Sequence, residues 1–152
     1  MPTSPDDTVS DAVDVRRYRD DDRAQLIALW RRVFPDDPPH NEPSAVIDAK
    51  LRVDDLIFVA MLNGAVVGAA MAGYDGHRGW LYAVAVDEAV RRMSIGGALV
   101  RHAVAVLNGL GCGKVNLQVR STNASVVAFY EALGFTIEDR ISMGLLDRGT
   151  SG

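Results

Sequence analysis

Cysteine is nearly absent from this chain of 152 residues, which contains only Cys112. One cysteine cannot close an internal disulfide bond, so the sequence predicts a reducing compartment, the cytoplasm. Long apolar runs are also missing, since no stretch reaches the roughly 18 consecutive apolar residues of a membrane-spanning helix. Residues 1–12 are polar and acidic and lack the positive region and apolar core of a signal peptide, so we expect a disordered tail there.

Basic charge is not in excess either. The formal net charge is −4 and acidic residues are spread along the sequence, which argues against nucleic acid as the main partner. No Gly-Lys-Ser/Thr loop and no early Gly-x-Gly-x-x-Gly fingerprint occurs, which excludes the common mononucleotide and dinucleotide sites. No Ser/His/Asp or Cys/His set for nucleophilic catalysis is apparent, and we expect neither a metal site nor a membrane partner.

The apolar pattern predicts one domain over residues 13–148 that mixes strands and helices. Asp20 and Asp21 are predicted to cap a first helix, Pro43-Ser44 to open a second, and Asn63-Gly64 to form a tight hairpin turn. Two later helices are predicted from Ile95 and from a cap at Ser121, Thr122 or Asn123. Strands are predicted at Val13–Tyr18, Leu56–Leu62, Ala65–Ala72, Trp80–Val86, Lys114–Val119, Phe135–Arg140 and Ile141–Leu146. This order predicts an α/β (α+β) fold, a mixed and mostly antiparallel central sheet of about seven strands flanked by four helices.

A strand-like run, a basic turn and a small-residue step follow one another at residues 81–100. Leu81–Val86 is apolar, Arg91 and Arg92 are basic, and a helix-like apolar run begins at Ile95. Small residues lie just before the start of that helix and in its first turn, namely Ser94, Gly96 and Gly97. The unpaired amides and positive dipole of a helix N-terminus favour an anion, and small residues let it approach. The segment therefore predicts a site for a phosphorylated ligand.

Two segments resemble motifs of the GCN5-related N-acetyltransferase (GNAT) superfamily, in its bacterial small-domain form. The family's pyrophosphate loop, Arg/Gln-x-x-Gly-x-Gly/Ala between a strand and a helix, is similar to Arg91-Arg92-Met93-Ser94-Ile95-Gly96. Its second motif has an Asn, a Tyr seven residues on, and then Glu-x-Leu-Gly-Phe, which resembles residues 123–135. The resemblance spans about Val13–Leu146, and the order of elements agrees with the family.

The resemblance implies the acyl-CoA N-acyltransferase fold and an acetyl-CoA-dependent N-acetyltransferase that transfers acetyl directly from the CoA thioester to an amine. It implies Tyr130 as the acid for the leaving thiolate, because a phenol with a pKa of about 10 stays protonated at neutral pH. A core-packing role for Tyr130 is the alternative. The residues implied to bind acetyl-CoA are Val84, Ala85, Val86, Arg91, Arg92, Met93, Ser94, Ile95, Gly96, Gly97, Asn123 and Tyr130. A splayed strand would leave the backbone of the first three free for pantetheine.

Ser94 departs from the family's pattern, which usually has glycine there. If this backbone needs a positive φ, serine costs roughly 1 kcal/mol or more. A catalytically silent CoA-binding or regulatory module on the same fold is therefore the alternative function.

The acceptor side is predicted at the turn Tyr74–Gly79, which joins two strands. The candidate substrate residues are Asp75, His77, Trp80 and Tyr82, with a solvated His77 and core aromatics as the alternatives. The acceptor is a small-molecule amine or a protein amine, and the family resemblance implies a homodimer.

Overall fold

The computed structural model describes residues 13–36 and 38–147, and the predicted tail at residues 1–12 lies outside them. These described residues form an α/β fold with one mixed sheet of five strands and four α-helices. In chain order these are β1 (Asp14–Arg17), α1 (Arg23–Val33), α2 (Pro43–Leu51), β2 (Ile57–Leu62), β3 (Ala65–Tyr74), β4 (Gly79–Val86), α3 (Ile95–Gly109), β5 (Val115–Leu117) and α4 (Ala124–Ala132). The described residues up to Gln118 form one compact unit, and those from Val119 form a second.

The sheet has the order β1-β2-β3-β4-β5, in which only the β4–β5 pair is parallel. The β2–β3 turn has positive φ at Asn63 (52°) and Gly64 (81°), which confirms the predicted hairpin. Strand β2 is apolar throughout because both of its faces are covered. Ile57 and Val59 join the core cluster that includes residues of α1 and α2, whereas the Phe58 ring meets His102 of α3 edge-to-face at 5.2 Å.

The start of α1 differs from the predicted cap at Asp20 and Asp21. Those two residues belong to a 3-10 turn, and the helix begins one residue after Asp22. The buried Asp22 carboxylate accepts two hydrogen bonds from Arg16, at 2.8 and 3.0 Å, and one from the Arg19 backbone N–H at 2.8 Å. The Arg16 hydrogen bond is the main cause of the lowered pKa of Asp22. A partly buried ion pair therefore joins β1 to the start of α1.

Glycine at position 68 lets α3 approach the sheet closely. A Cβ on Gly68 would lie 2.9 Å from Leu99 Cδ1 and 3.0 Å from Ile95 Cγ2. Ile95 and Leu99 are fully buried, so these side chains have little room to move aside. Gly68 thus fixes how the first turn of α3 sits on β3.

The two final strands predicted at Phe135–Arg140 and Ile141–Leu146 are not formed, and residues 135–147 contain no strand. The sheet therefore has five strands rather than about seven. Ile141, Met143 and Leu145 alternate as in a strand, yet they are 88%, 90% and 98% exposed. Alternation makes a strand only where a neighbouring strand supplies hydrogen bonds and a core covers one face. Their high exposure shows that no core covers Ile141, Met143 and Leu145.

Candidate functional site

A bulge interrupts β4 beside the residues predicted to bind pantetheine. The register with β3 shifts between the pairs Ala69–Ala85 and Met71–Tyr82, so that Ala83 and Val84 stand opposite one residue. Ala83 has a φ of +53°, a left-handed conformation that is costly for alanine. Its carbonyl accepts a 3.2 Å hydrogen bond from Nε1 of the buried Trp30. Sequence reasoning missed this bulge because no glycine or proline marks it.

Beyond the bulge, β4 continues past its partner β5. The parallel ladder covers three pairs and ends at Leu81–Leu117, whereas β4 runs on for five residues to Val86. The β4 edge from Tyr82 to Val86 therefore has no partner from β5 among the described residues. The predicted splay of β4 from β5 and the binding of pantetheine by Val84, Ala85 and Val86 stay predictions.

The basic turn after β4 is a short 3-10 segment, Glu88–Met93, which includes Arg92. The Asp87 carboxylate accepts from the Ala89 backbone N–H at 3.1 Å and pairs with Arg32 at 2.9 Å. Arg91 is exposed and donates from Nε to the carbonyl of Val86 at 3.2 Å. This bond holds the Arg91 guanidinium at the end of β4.

Ser94 links this turn to α3 in a left-handed conformation, with φ +59° and ψ 26°. Its side chain makes no capping hydrogen bond, so it leaves the amides of the first turn of α3 without that partner. A Cβ on Gly97 would lie 3.1 Å from Nη1 of Arg101, which places that guanidinium over the same turn. Helix amides, a helix dipole and Arg101 together favour an anion here. Sequence reasoning missed Arg101, although its spacing of four residues from Gly97 puts both on one helix face.

The second unit contains Asn123 and Tyr130 on one helix. The Asn123 side chain accepts from the Val126 backbone N–H at 3.3 Å, which confirms it as the cap of α4. Tyr130 is buried and makes edge contacts with Phe129 at 4.8 Å and Phe135 at 5.6 Å between ring centroids. Desolvation by burial raises the pKa of Tyr130 to about 12. Tyr130 is thus packed against aromatic rings, and its chemical role stays a prediction.

A cavity of about 660 Å³ opens between α2 and the paired ends of β3 and β4. Three of the four predicted substrate residues line it, namely Asp75, Trp80 and Tyr82. His77 is exposed on the neighbouring turn and does not line the cavity. Sequence reasoning did not predict several other lining residues, among them Lys50, Asp54 and Gly73.

The Asp75 carboxylate organises the β3–β4 turn. Its Oδ1 accepts from the backbone N–H groups of His77 at 2.8 Å and Arg78 at 2.7 Å. These bonds, with that of Arg78 the larger cause, lower the pKa of Asp75. Asp75 therefore supplies a fixed negative charge to the cavity and is a weak base at neutral pH.

Comparisons with known proteins identify the family. The model of the acetyltransferase (GNAT) family matches residues 23–135, and the chain belongs to that family. An acetyltransferase of Pectobacterium atrosepticum is 39% identical over 133 residues, which cover 87% of this chain and 94% of the relative.

Two solved structures are also similar. The ribosomal-protein-S18-alanine N-acetyltransferase of Escherichia coli has a TM-score of 0.69 at 26% identity, covering 82% of this chain and 77% of that one. An aminoglycoside N-acetyltransferase in complex with CoA has a TM-score of 0.75 at 20% identity, covering 90% and 95%, and shows the shared fold.

Within residues 13–36 and 38–147, no helix is long and apolar enough to cross a bilayer. The same residues hold no group of three or more His, Cys, Asp and Glu side chains suited to a metal ion.

Proposed function

We propose that this chain is an acetyl-CoA-dependent N-acetyltransferase that passes the acetyl group directly to an amine. The observation that carries the proposal is the run from the open edge of β4, through left-handed Ser94, into the first turn of α3. That run offers strand-edge groups and helix-end amides in sequence, and an acyl-CoA needs both. The chain's membership of an acetyltransferase family and the CoA in one structural neighbour support this interpretation.

Acetyl-CoA fits the residues along this run. Pantetheine carries amides that suit the backbone of Val84, Ala85 and Val86, and its pyrophosphate suits the N–H groups from Ser94 to Gly97. Ile95 is buried, so it would contribute its backbone rather than its side chain. Arg91 and Arg101 add positive charge, and Arg92, Met93 and Gly96 complete the loop. In the second unit, we assign Asn123 to the same ligand.

We assign Tyr130 as the acid. In the reaction a C–N bond forms to the amine, the thioester C–S bond breaks, and the departing sulfur takes a proton. A pKa of about 12 keeps the phenol protonated throughout the neutral range. Since a thiol has a pKa of about 8.5, full transfer of the proton from this phenol to the thiolate is uphill. Tyr130 therefore stabilises the developing negative charge on the sulfur by donating a hydrogen bond, and any proton that it gives up to the sulfur is replaced from water.

We place the acceptor amine in the cavity lined by Asp75, Trp80 and Tyr82. The aromatic rings supply apolar contact area, and the Asp75 carboxylate supplies a fixed negative charge for an ammonium. His77 is exposed on the same turn and is our candidate for exchanging the amine's proton with water. The acceptor is a small-molecule or protein amine. From the family resemblance and the single cysteine we also propose a cytoplasmic homodimer.

A catalytically silent CoA-binding module is the second candidate function. The serine at position 94 favours it, because serine stands in a left-handed conformation where the loop of the family usually has glycine. Both functions require that acetyl-CoA binds. Only the enzyme consumes it, so release of CoA distinguishes the two.

The test measures free CoA thiol after the protein is mixed with acetyl-CoA and a panel of amines. We expect thiol release with at least one amine, at least a tenfold loss of kcat in Tyr130→Phe, and an acetyl-CoA Kd that changes less than twofold. Tyr18→Phe removes a phenol elsewhere and is the matched control. Binding of acetyl-CoA with no thiol release from any amine would establish the silent module instead. Unchanged kcat in Tyr130→Phe would remove Tyr130 from the chemistry.

A further inference from the structure

In the acceptor cavity, Gly73 leaves a side-chain position empty that two hydrogen-bond donors border. A Cβ placed on Gly73 would lie 3.6 Å from Tyr82 Oη and 3.7 Å from Lys50 Nζ. All three residues line the same cavity of about 660 Å³. Because glycine has no side chain, the space between the phenol and the ammonium is open to a ligand.

The Lys50 ammonium is held firmly in this position. Lys50 is 8% exposed, donates to the Ala72 carbonyl at 2.5 Å, and pairs with Asp54 at 2.8 Å. An ammonium has three N–H donors, and these two partners account for two of them. Burying a lysine is costly, so a third partner at this point would be favourable.

The same arrangement disfavours a cation in this part of the cavity. The Lys50 ammonium already lies 5.5 Å from the centroid of the Tyr82 ring, where an ammonium of the acceptor would otherwise bind. The face of the Tyr82 ring is therefore already occupied by a cation. A carboxylate, in contrast, accepts hydrogen bonds on both oxygens and forms charge-assisted bonds with ammonium and phenol donors.

We infer that the acceptor amine also carries a carboxylate, bound by Lys50 Nζ and Tyr82 Oη in the space that Gly73 leaves open. The substrate class is an amino acid or a related amino carboxylate, and polyamines are disfavoured. This inference rests on the proposed N-acetyltransferase function and deepens it.

The test compares each amino acid with its decarboxylated amine, such as phenylalanine with phenethylamine and lysine with cadaverine. We expect a kcat/KM at least tenfold higher for the acid in the wild-type protein, measured by CoA thiol release. Gly73→Ala should abolish this preference, because its methyl group fills the space at ordinary contact distances that do not disturb folding. Tyr82→Phe should reduce it about tenfold, by removing one donor. The readout in both variants is the ratio of kcat/KM for the acid to kcat/KM for its decarboxylated amine.

Gly113→Ala is the matched control, since a Cβ there meets nothing within 4 Å. Equal use of the acid and the decarboxylated amine, or an equal loss of both in Gly73→Ala, would overturn the inference. If no amine is acetylated, the proposed function fails, and calorimetric binding of N-acetylphenylalanine against N-acetylphenethylamine then decides the carboxylate site separately. Preferential binding of the acid that disappears in Gly73→Ala supports the site, and equal binding overturns it.

Discussion

Replacing Ser94 by glycine should stabilise the protein. Ser94 has a φ of +59° and makes no capping hydrogen bond with its side chain, so the fold gains little from serine there. The left-handed conformation costs an L-residue about 1–2 kcal/mol, and glycine's greater freedom in the unfolded chain offsets about 0.5–1 kcal/mol of the gain. The net increase in unfolding free energy is therefore about 0.5–1 kcal/mol, or about 1–4 °C in Tm for a chain of this length.

Ser94→Ala is the matched variant, because it removes the hydroxyl and keeps the left-handed strain. Its unfolding free energy should stay within about 0.5 kcal/mol of the wild type. Urea denaturation with equal m-values and thermal unfolding by circular dichroism measure both variants. The reasoning is refuted if Ser94→Gly is less stable than the wild type, or if Ser94→Ala is stabilised as much as Ser94→Gly. Acetyl-CoA titrations of the same variants show whether the Ser94 hydroxyl adds to binding. We expect the Kd for acetyl-CoA to change less than threefold.

Three further predictions follow from buried groups. Trp30→Phe leaves the Ala83 carbonyl without its indole donor, so unfolding free energy should fall by about 1–2 kcal/mol and acetyl-CoA should bind more weakly by calorimetry. Asp22→Asn breaks the ion pair with Arg16 and should cost about 2 kcal/mol. Because the pKa of Asp22 is lowered, wild-type stability should fall as the pH drops below the ordinary aspartate range, and urea titrations should show a weaker fall in Asp22→Asn. The raised pKa of Tyr130 predicts a stability contribution that is full below pH 10 and lost by about pH 12, and Tyr130→Phe should lack this loss.

Local turn and cap chemistry made several features predictable from the sequence. Asn63-Gly64 specifies its hairpin, and Asn123 specifies the start of α4, because each acts on the backbone within a few residues. Ser94 was recognised as a glycine-like position from the motif around it, and its positive φ agrees with that interpretation. The positions of the basic turn and of the first turn of α3 were therefore predictable from the sequence.

Features that depend on distant packing were not predictable in the same way. The bulge at Ala83 is fixed by an indole 53 positions earlier in the chain. The space at Gly73 acquires its chemistry from Lys50 of α2, and a glycine in an apolar strand does not indicate what borders it. The alternation at Ile141 predicted a strand whose pairing partner no local pattern could supply. Each of these features needed the tertiary arrangement.

The central claim is that acetyl-CoA lies along the end of β4 and on the first turn of α3. Amide hydrogen exchange, measured with and without saturating acetyl-CoA, tests it most directly. We expect slower exchange in peptides that cover Val84–Val86 and Ser94–Gly97, and unchanged exchange at the Asn63-Gly64 hairpin. Protection confined to other parts of the chain, or no protection at saturating acetyl-CoA, would contradict the account.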